Sequence, residues 1–236
     1  MGFSLELAPQ LRRQMAALNA ITAHRLESGN RVSTRGANVI FWDVDTQIDF
    51  LLPGGRLYVP GAEKIIPNLH ELTAWAGAHC IPIISSACAH LPGDPEMRTY
   101  GPHCVAGTPG QQKIPETLLP NRLVVPNRRV ELPDLRSFLQ VIVEKQAFDS
   151  FTNPNTEQVL QQFGNDLSIV MYGVTTDICV ACAADALLDR GRHVQLVSNA
   201  VAALDEKKAA SFLDSFRKRG GMLVRTRNVL RETSAA

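Results

Sequence analysis

Two hydrophobic periods alternate along this chain, and that alternation limits its folds more than any other feature. Short apolar or β-branched runs occur at residues 38–44, 81–84, 141–143, 167–172, 194–197 and 222–224. Between most of them, at about 62–78, 155–163, 178–190 and 205–219, the apolar residues recur with the period of one helix face. A run such as Val39, Ile40, Phe41, Trp42 and Val44 reads as a strand buried on both sides. Strands alternating with helices form a parallel sheet covered on both faces. The expected fold class is therefore α/β: a three-layer α/β/α, Rossmann-like domain around a six-stranded, mostly parallel sheet. Ligands of such sheets bind beyond the carboxyl ends of the strands.

Two segments stand outside the pattern. From Leu7 to about Glu27, Leu11, Met15, Leu18 and Leu26 mark one helix face, and Ser28-Gly29-Asn30 ends it. Residues 1–35 are thus expected to be an N-terminal helical extension, packed across the domain or against a neighbouring subunit, with residues 36–236 forming the main domain. The interval from Cys88 to about Arg136 is rich in Pro and Gly and mostly aperiodic. A loop of that length inside a compact domain usually carries function.

Composition removes several classes of partner. Charged residues make up 20% of the 236 residues, and the formal net charge is +1 with Lys and Arg scattered. That lacks the basic stripe of a nucleic-acid binder and points to a small-molecule ligand. No apolar run reaches the roughly 18 residues of a membrane span, and the N-terminus lacks the order of a signal peptide. Glu6 spoils the Met-Gly start as an acylation signal. The five cysteines, at positions 80, 88, 104, 179 and 182, are not spaced like a disulfide framework and suit a reducing cytoplasm.

Three ionisable residues fall at strand ends: Asp45 after the first run, Lys145 after the third, and Cys179 at the start of a helix after the fourth. Each has an ordinary reading alone: a helix cap, a solvated lysine, an inert packed thiol. A doubly wound sheet would bring them together, and their chemistry is complementary. The thiolate is the nucleophilic form of cysteine, and a free thiol with a pKa of ~8.5 is mostly protonated at neutral pH. The positive end of a helix and the Lys145 ammonium would stabilise that thiolate. Asp45 would serve as general base, taking the thiol proton, returning it to a leaving amine and later activating water.

Three segments carry a family resemblance: Asp45-Thr46-Gln47-Ile48-Asp49-Phe50, Glu144-Lys145-Gln146-Ala147-Phe148-Asp149-Ser150-Phe151, and Gly173-Val174-Thr175-Thr176-Asp177-Ile178-Cys179-Val180. In this order they resemble the isochorismatase-like cysteine hydrolases over roughly residues 37–230. A fourth segment, Pro102-His103-Cys104-Val105-Ala106-Gly107-Thr108-Pro109-Gly110, is similar to one found in nicotinamidases, which convert nicotinamide to nicotinate and ammonia. The resemblance implies a catalytic triad of Asp45, Lys145 and Cys179. It implies a cis peptide between Val174 and Thr175, and an oxyanion hole from the Thr175 and Cys179 amides. Phe50 would flank the substrate ring, and Tyr100 stands where nicotinamidases commonly carry Trp. Cys182 is assigned to packing.

Nicotinamidases also hold a divalent metal, using an Asp-x-His pair, a nearby His or Glu, and the His of the Pro-His-Cys segment. Here the pair reads Cys88-Ala89-His90, with Glu96 and His103 at the later positions. His90, Glu96 and His103 are the expected ligands of Zn²⁺ or Fe²⁺, with Cys88 as a soft fourth donor favouring zinc, and no organic cofactor is expected. The expected activity is hydrolysis of a small carboxamide such as nicotinamide through a thioester, by a homo-oligomer. The rival readings are a metal-independent amidase on the same scaffold, an isochorismatase-type hydrolase, and a catalytically silent binding module.

Overall fold

The computed structural model describes residues 39–232. The expected N-terminal helix lies outside the described residues. Among the described residues, seven strands make one sheet: β1 (Val39–Val44), β2 (Ile83–Cys88), β3 (Arg122–Val125), β4 (Gln140–Lys145), β5 (Ser168–Val174), β6 (His193–Ala202) and β7 (Met222–Val224). Their spatial order is β3-β4-β2-β1-β5-β6-β7, and every adjacent pair is parallel. The sheet expected to have six strands therefore gains β3, an edge strand within the aperiodic interval. Arg122-Leu123-Val124-Val125 opens on a charged residue inside a Pro- and Gly-rich interval, and Val124 is half exposed, so no buried apolar run marks the strand.

Helices cover both faces. The longer ones are α1 (Ile66–His79), α2 (Thr156–Phe163), α3 (Cys179–Asp189), α4 (Glu206–Lys218) and α5 (Thr226–Glu232). Alternation along β1 explains the layering: Ile40, Trp42 and Val44 enter one core with Val159 and Leu160 of α2, Val180 of α3 and Phe216 of α4. Phe41 enters the other, with Leu69 and Leu72 of α1 and Val229 of α5. Side chains a residue apart on a strand point to opposite faces, so a strand with apolar residues on both becomes the wall between two cores. No helix among the described residues is long and apolar enough to cross a membrane.

The aperiodic interval is pinned rather than loose. Lys113 Nζ reaches Asp43 Oδ2 at 2.9 Å and Thr46 Oγ1 at 2.7 Å, and all three residues are buried. Gln47 Nε2 donates to the carbonyls of Cys88 and Gln111, while its Oε1 accepts from the Cys88 amide. β1 is the strand at which the winding changes direction, with β2 on one side and β5 on the other. The crevice beyond its carboxyl end is therefore the natural ligand site.

Candidate active site

Asp45 directly follows β1 with φ of 48°. Few non-glycine residues tolerate the left-handed region, and Asp is among those that do. Such residues cluster at functional sites, where the surrounding structure enforces them. The Asp45 amide donates to the Ser86 carbonyl at 3.2 Å, and Ser86 Oγ donates to Asp45 Oδ1 at 2.6 Å. The other carboxylate oxygen meets Lys145 Nζ at 2.9 Å, with both side chains fully buried. Lys145 closes β4 and is held further by the Ala147 carbonyl at 3.0 Å.

Lys145 Nζ also lies 3.6 Å from Cys179 Sγ and 3.1 Å from Cys88 Sγ. The three residues at strand ends thus converge on one ammonium, and Cys88 joins them. Strand order explains this: β2 lies between β4 and β1, and Cys88 pairs in register with Lys145. Its sulfur is 3.7 Å from Asp45 Oδ2. Burial opposes the Lys145 charge, but the charge of Asp45, joined by Cys179 and Cys88 when their sulfurs are ionised, outweighs it and raises the Lys145 pKa. The pKa of Cys179 is raised, first by its contact with Cys88 and then by burial, while Lys145 pulls the other way.

Cys179 opens α3, whose preceding residue, Ile178, supplies no side-chain cap. The peptide between Val174 and Thr175 is cis, as the resemblance implies. The Thr175 carbonyl accepts from the amides of Ile178 and Val180, folding the turn around Cys179. Asp177 anchors that turn by accepting from the Leu204 and Asp205 amides. Gly173 has φ of 120°, and a Cβ there would lie 2.0 Å from the Val44 carbonyl oxygen. Only glycine lets β5 approach β1 so closely just before the turn.

Beside the triad lies a second polar cluster. His90 Nδ1 donates to Asp94 Oδ2 at 3.0 Å, and His103 Nδ1 donates to the Gly101 carbonyl at 2.9 Å. These bonds leave both Nε2 atoms facing Glu96, whose Oε1 is 2.6 Å from His90 and 3.5 Å from His103. The shorter contact is not aligned as a hydrogen bond, which leaves His90 Nε2 buried without one. Burial works against the His90 charge, but Glu96 and Asp94 raise its pKa above the ordinary histidine value. Burial likewise opposes the Glu96 carboxylate, yet His103 and His90 hold it down at about 2.

Donor atoms of Cys88, His90 and Glu96 all lie within 4.8 Å of one another. A nitrogen lone pair and a carboxylate facing each other need a proton or a cation between them. A thiolate, an imidazole and a carboxylate form a donor set suited to zinc. Outer partners that orient ligating histidines, as Asp94 orients His90, are usual at such sites. Cys88, expected as a fourth donor, thus stands within this group, while the expected ligand His103 lies beside it, its ring centroid 4.8 Å from that of His90.

Phe50 is buried with its ring 5.5 Å from His103, and Tyr100 packs edge-on against Phe148 at 6.0 Å. Ser86, Gln47 and Asp94 escaped the sequence reading because each acts by holding another residue. Two surface depressions of about 430 and 470 Å³ lie elsewhere, lined by Val39, His193 and Met222 and by Leu52, Arg56 and Pro109. Neither is lined by the triad, so the converging chemistry, rather than open volume, marks the site.

Residues 131–228 match the isochorismatase domain family. A nicotinamidase of Acinetobacter baylyi is 29% identical over 181 residues, covering 69% of this chain and 80% of that protein. The zinc complex of a pyrazinamidase of Pyrococcus horikoshii superposes with a TM-score of 0.65 at 26% identity, covering 80% of this chain and 99% of that one. An N-carbamoylsarcosine amidase of Thermoplasma acidophilum gives a TM-score of 0.63 at 26% identity, over 80% and 96%.

Proposed function

We propose, from the match of residues 131–228 to the isochorismatase domain family and the likeness to amidases, that the chain is an isochorismatase-like cysteine amidohydrolase cleaving the C–N bond of a small carboxamide such as nicotinamide. One observation carries this reading: Lys145 Nζ touches both Asp45 Oδ2, at 2.9 Å, and Cys179 Sγ, at 3.6 Å. Asp45 takes the Cys179 proton as the sulfur attacks the carbonyl carbon. Lys145 keeps the buried site neutralised as negative charge passes from carboxylate to sulfur. The amides of Thr175 and Cys179 receive the oxyanion, an arrangement in which each donor is worth ~2.7–4 kcal/mol in comparable chemistry. Asp45 returns its proton to the departing nitrogen and ammonia leaves. Water, activated by the same carboxylate, then hydrolyses the thioester and restores the thiol.

Cys88, His90 and Glu96, with His103 beside them, would hold a divalent metal, zinc suiting the sulfur donor best. Bound there, the metal would supply Lewis acidity toward a substrate heteroatom. Phe50 and the Tyr100–Phe148 pair offer apolar faces for a planar ring. A second reading, a metal-independent amidase acting on another small amide, is favoured by one observation: the position expected to carry a metal-binding carboxylate carries Cys88. The five cysteines are free, which suits the cytoplasm.

The deciding experiment measures ammonia release from nicotinamide and from a panel of linear and cyclic amides, with and without added Zn²⁺, Fe²⁺ or Mn²⁺. Metal-stimulated turnover of nicotinamide supports the first reading. Turnover of another amide, unaffected by metal or chelator, supports the second. No ammonia from any amide would reject both.

A further inference from the structure

Cys88 and Cys179 are two thiols on one ammonium, and the attack on the amide carbon uses only the second. Their sulfurs lie 3.1 and 3.6 Å from Lys145 Nζ, and Cys88 is also 3.7 Å from the carboxylate of Asp45. We propose that Cys88 and Cys179 form a reversible disulfide under peroxide, which closes the active site by consuming its nucleophile. The pairing goes beyond amide cleavage and holds whichever amide is the substrate.

Of the two, Cys179 has the greater exposure, 7% against 1%, so peroxide meets it first. Asp45 accepts the Cys179 proton, the sulfur attacks one peroxide oxygen, and the O–O bond breaks. Cys179 becomes a sulfenic acid, oxidised by two electrons, and the departing oxygen takes the proton and leaves as water or an alcohol. Cys88 then attacks the sulfenic sulfur, the S–O bond breaks, and a second water leaves carrying the Cys88 proton. A resolving thiol next to a sulfenic acid stops oxidation before the irreversible sulfinic stage. Lys145 favours both steps, since each passes through a thiolate beside its ammonium.

The other cysteines are less well placed. Cys104 is turned toward the Gly110 carbonyl at 3.8 Å. Cys182 follows Cys179 within α3, on a helix whose backbone is already bonded. The same disulfide would remove a donor from the cluster of Cys88, His90 and Glu96, so oxidation and metal loading compete for one sulfur.

The test treats full-length reduced protein, as purified and after dialysis against chelator, with hydrogen peroxide. Remaining thiols are then alkylated under denaturing conditions, and unreduced tryptic peptides are examined by mass spectrometry. The expected product joins the peptide of residues 65–98 to that of residues 146–190, in the chelated sample at least. Because these peptides also contain Cys80 and Cys182, fragmentation must assign the bond to Cys88 and Cys179. Dithiothreitol should release the link, Cys182→Ser should retain it, and Cys88→Ser should instead carry Cys179 on to the sulfinic acid. The readout is mass, so it stands whether or not nicotinamide is turned over. A bond assigned to Cys182 or Cys104, or Cys179 over-oxidised in wild type while Cys88 remains alkylatable in both samples, would overturn the pairing.

Discussion

At the scale of single residues, the site is a problem of how much charge a buried space can hold. Asp45 and Lys145 are each fully buried and neutralise one another, while the contact with Cys88 and burial hold the Cys179 pKa up against the pull of Lys145. Cys179→Ala should therefore reduce ammonia release to background while thermal unfolding stays close to wild type. Cys182 offers no rescue, because burial pushes its thiol up to about 11 and the neighbouring Cys179 adds to that. Retention of substantial turnover by mass-verified C179A protein would remove Cys179 from the mechanism. The second cluster makes its own prediction about pH. The folded pKa of Glu96 is held down at about 2 from an ordinary 4.5, so its contribution to stability is complete above 4.5 and fades as pH falls toward 2. The His90 value is raised above 6.5, so its contribution is complete below 6.5 and fades as pH rises through the folded value. In metal-free protein the urea midpoints of wild type and Glu96→Gln should differ most between about pH 4.5 and 6.5, and converge in more acidic buffer. A difference that keeps growing below pH 4 would show that Glu96 is not held by these contacts.

Among the secondary-structure elements, the long interval between β2 and β4 depends on a polar pin. Asp43 points from β1 into the core carrying a charge, and Lys113 supplies the partner from the interval itself. Thr46 joins Asp43, Lys113 and Thr117, while Ser85 and Gln140 extend the network into β2 and β4. Removing one partner of a buried pair strands the other, which typically costs ~3–5 kcal/mol. Lys113→Met should lower the urea midpoint by that order, and adding Asp43→Asn should recover much of the loss. Equal destabilisation by K113M alone and by the double variant would mean that the pair is not what the residues contribute. Sequence periodicity disclosed the six other strands because each contains an unbroken apolar run. It missed β3, whose Arg122 and Val124 face outward, and α5, a short charged helix in which Val229 and Thr226 are buried. Lys113 could not be singled out either, since nothing local distinguishes a lysine paired across 70 residues of chain from a solvated one.

In the whole molecule, topology decides which residues meet. The meeting of Asp45, Lys145 and Cys179 was legible because strand ends in a doubly wound sheet converge, but the position of Cys88 beside Asp45 and Lys145 depends on β2 lying between β1 and β4, which is a property of strand order alone. That placement puts one sulfur at the boundary between the triad and the cluster of His90 and Glu96. It also means that a cation held there would tie the end of β2 to the long interval, adding to contacts that include the Gln47 bonds, the Lys113 pin and the bridges Gln47–Lys113 and His90–Val105. Any ligand that binds only the folded state stabilises it in proportion to the logarithm of its excess over Kd, about 2.7 kcal/mol at a hundredfold excess. For a chain of this size each kcal/mol moves Tm by roughly 2–4 °C. Zinc at that excess should thus raise Tm by roughly 5–10 °C in wild type. His90→Ala and Glu96→Gln should abolish the shift, and His103→Ala should reduce it less, since its imidazole lies farther from the shared point. Cys88→Asp should shift the preference from zinc toward Fe²⁺ or Mn²⁺, because a hard oxygen replaces a soft sulfur. Calorimetry with elemental analysis of protein purified without chelator makes the measurement. Well under a tenth of an equivalent of transition metal, with no shift on adding any of the three ions, would leave His90 and Glu96 as a proton-bridged pair and make the metal-independent amidase the better account.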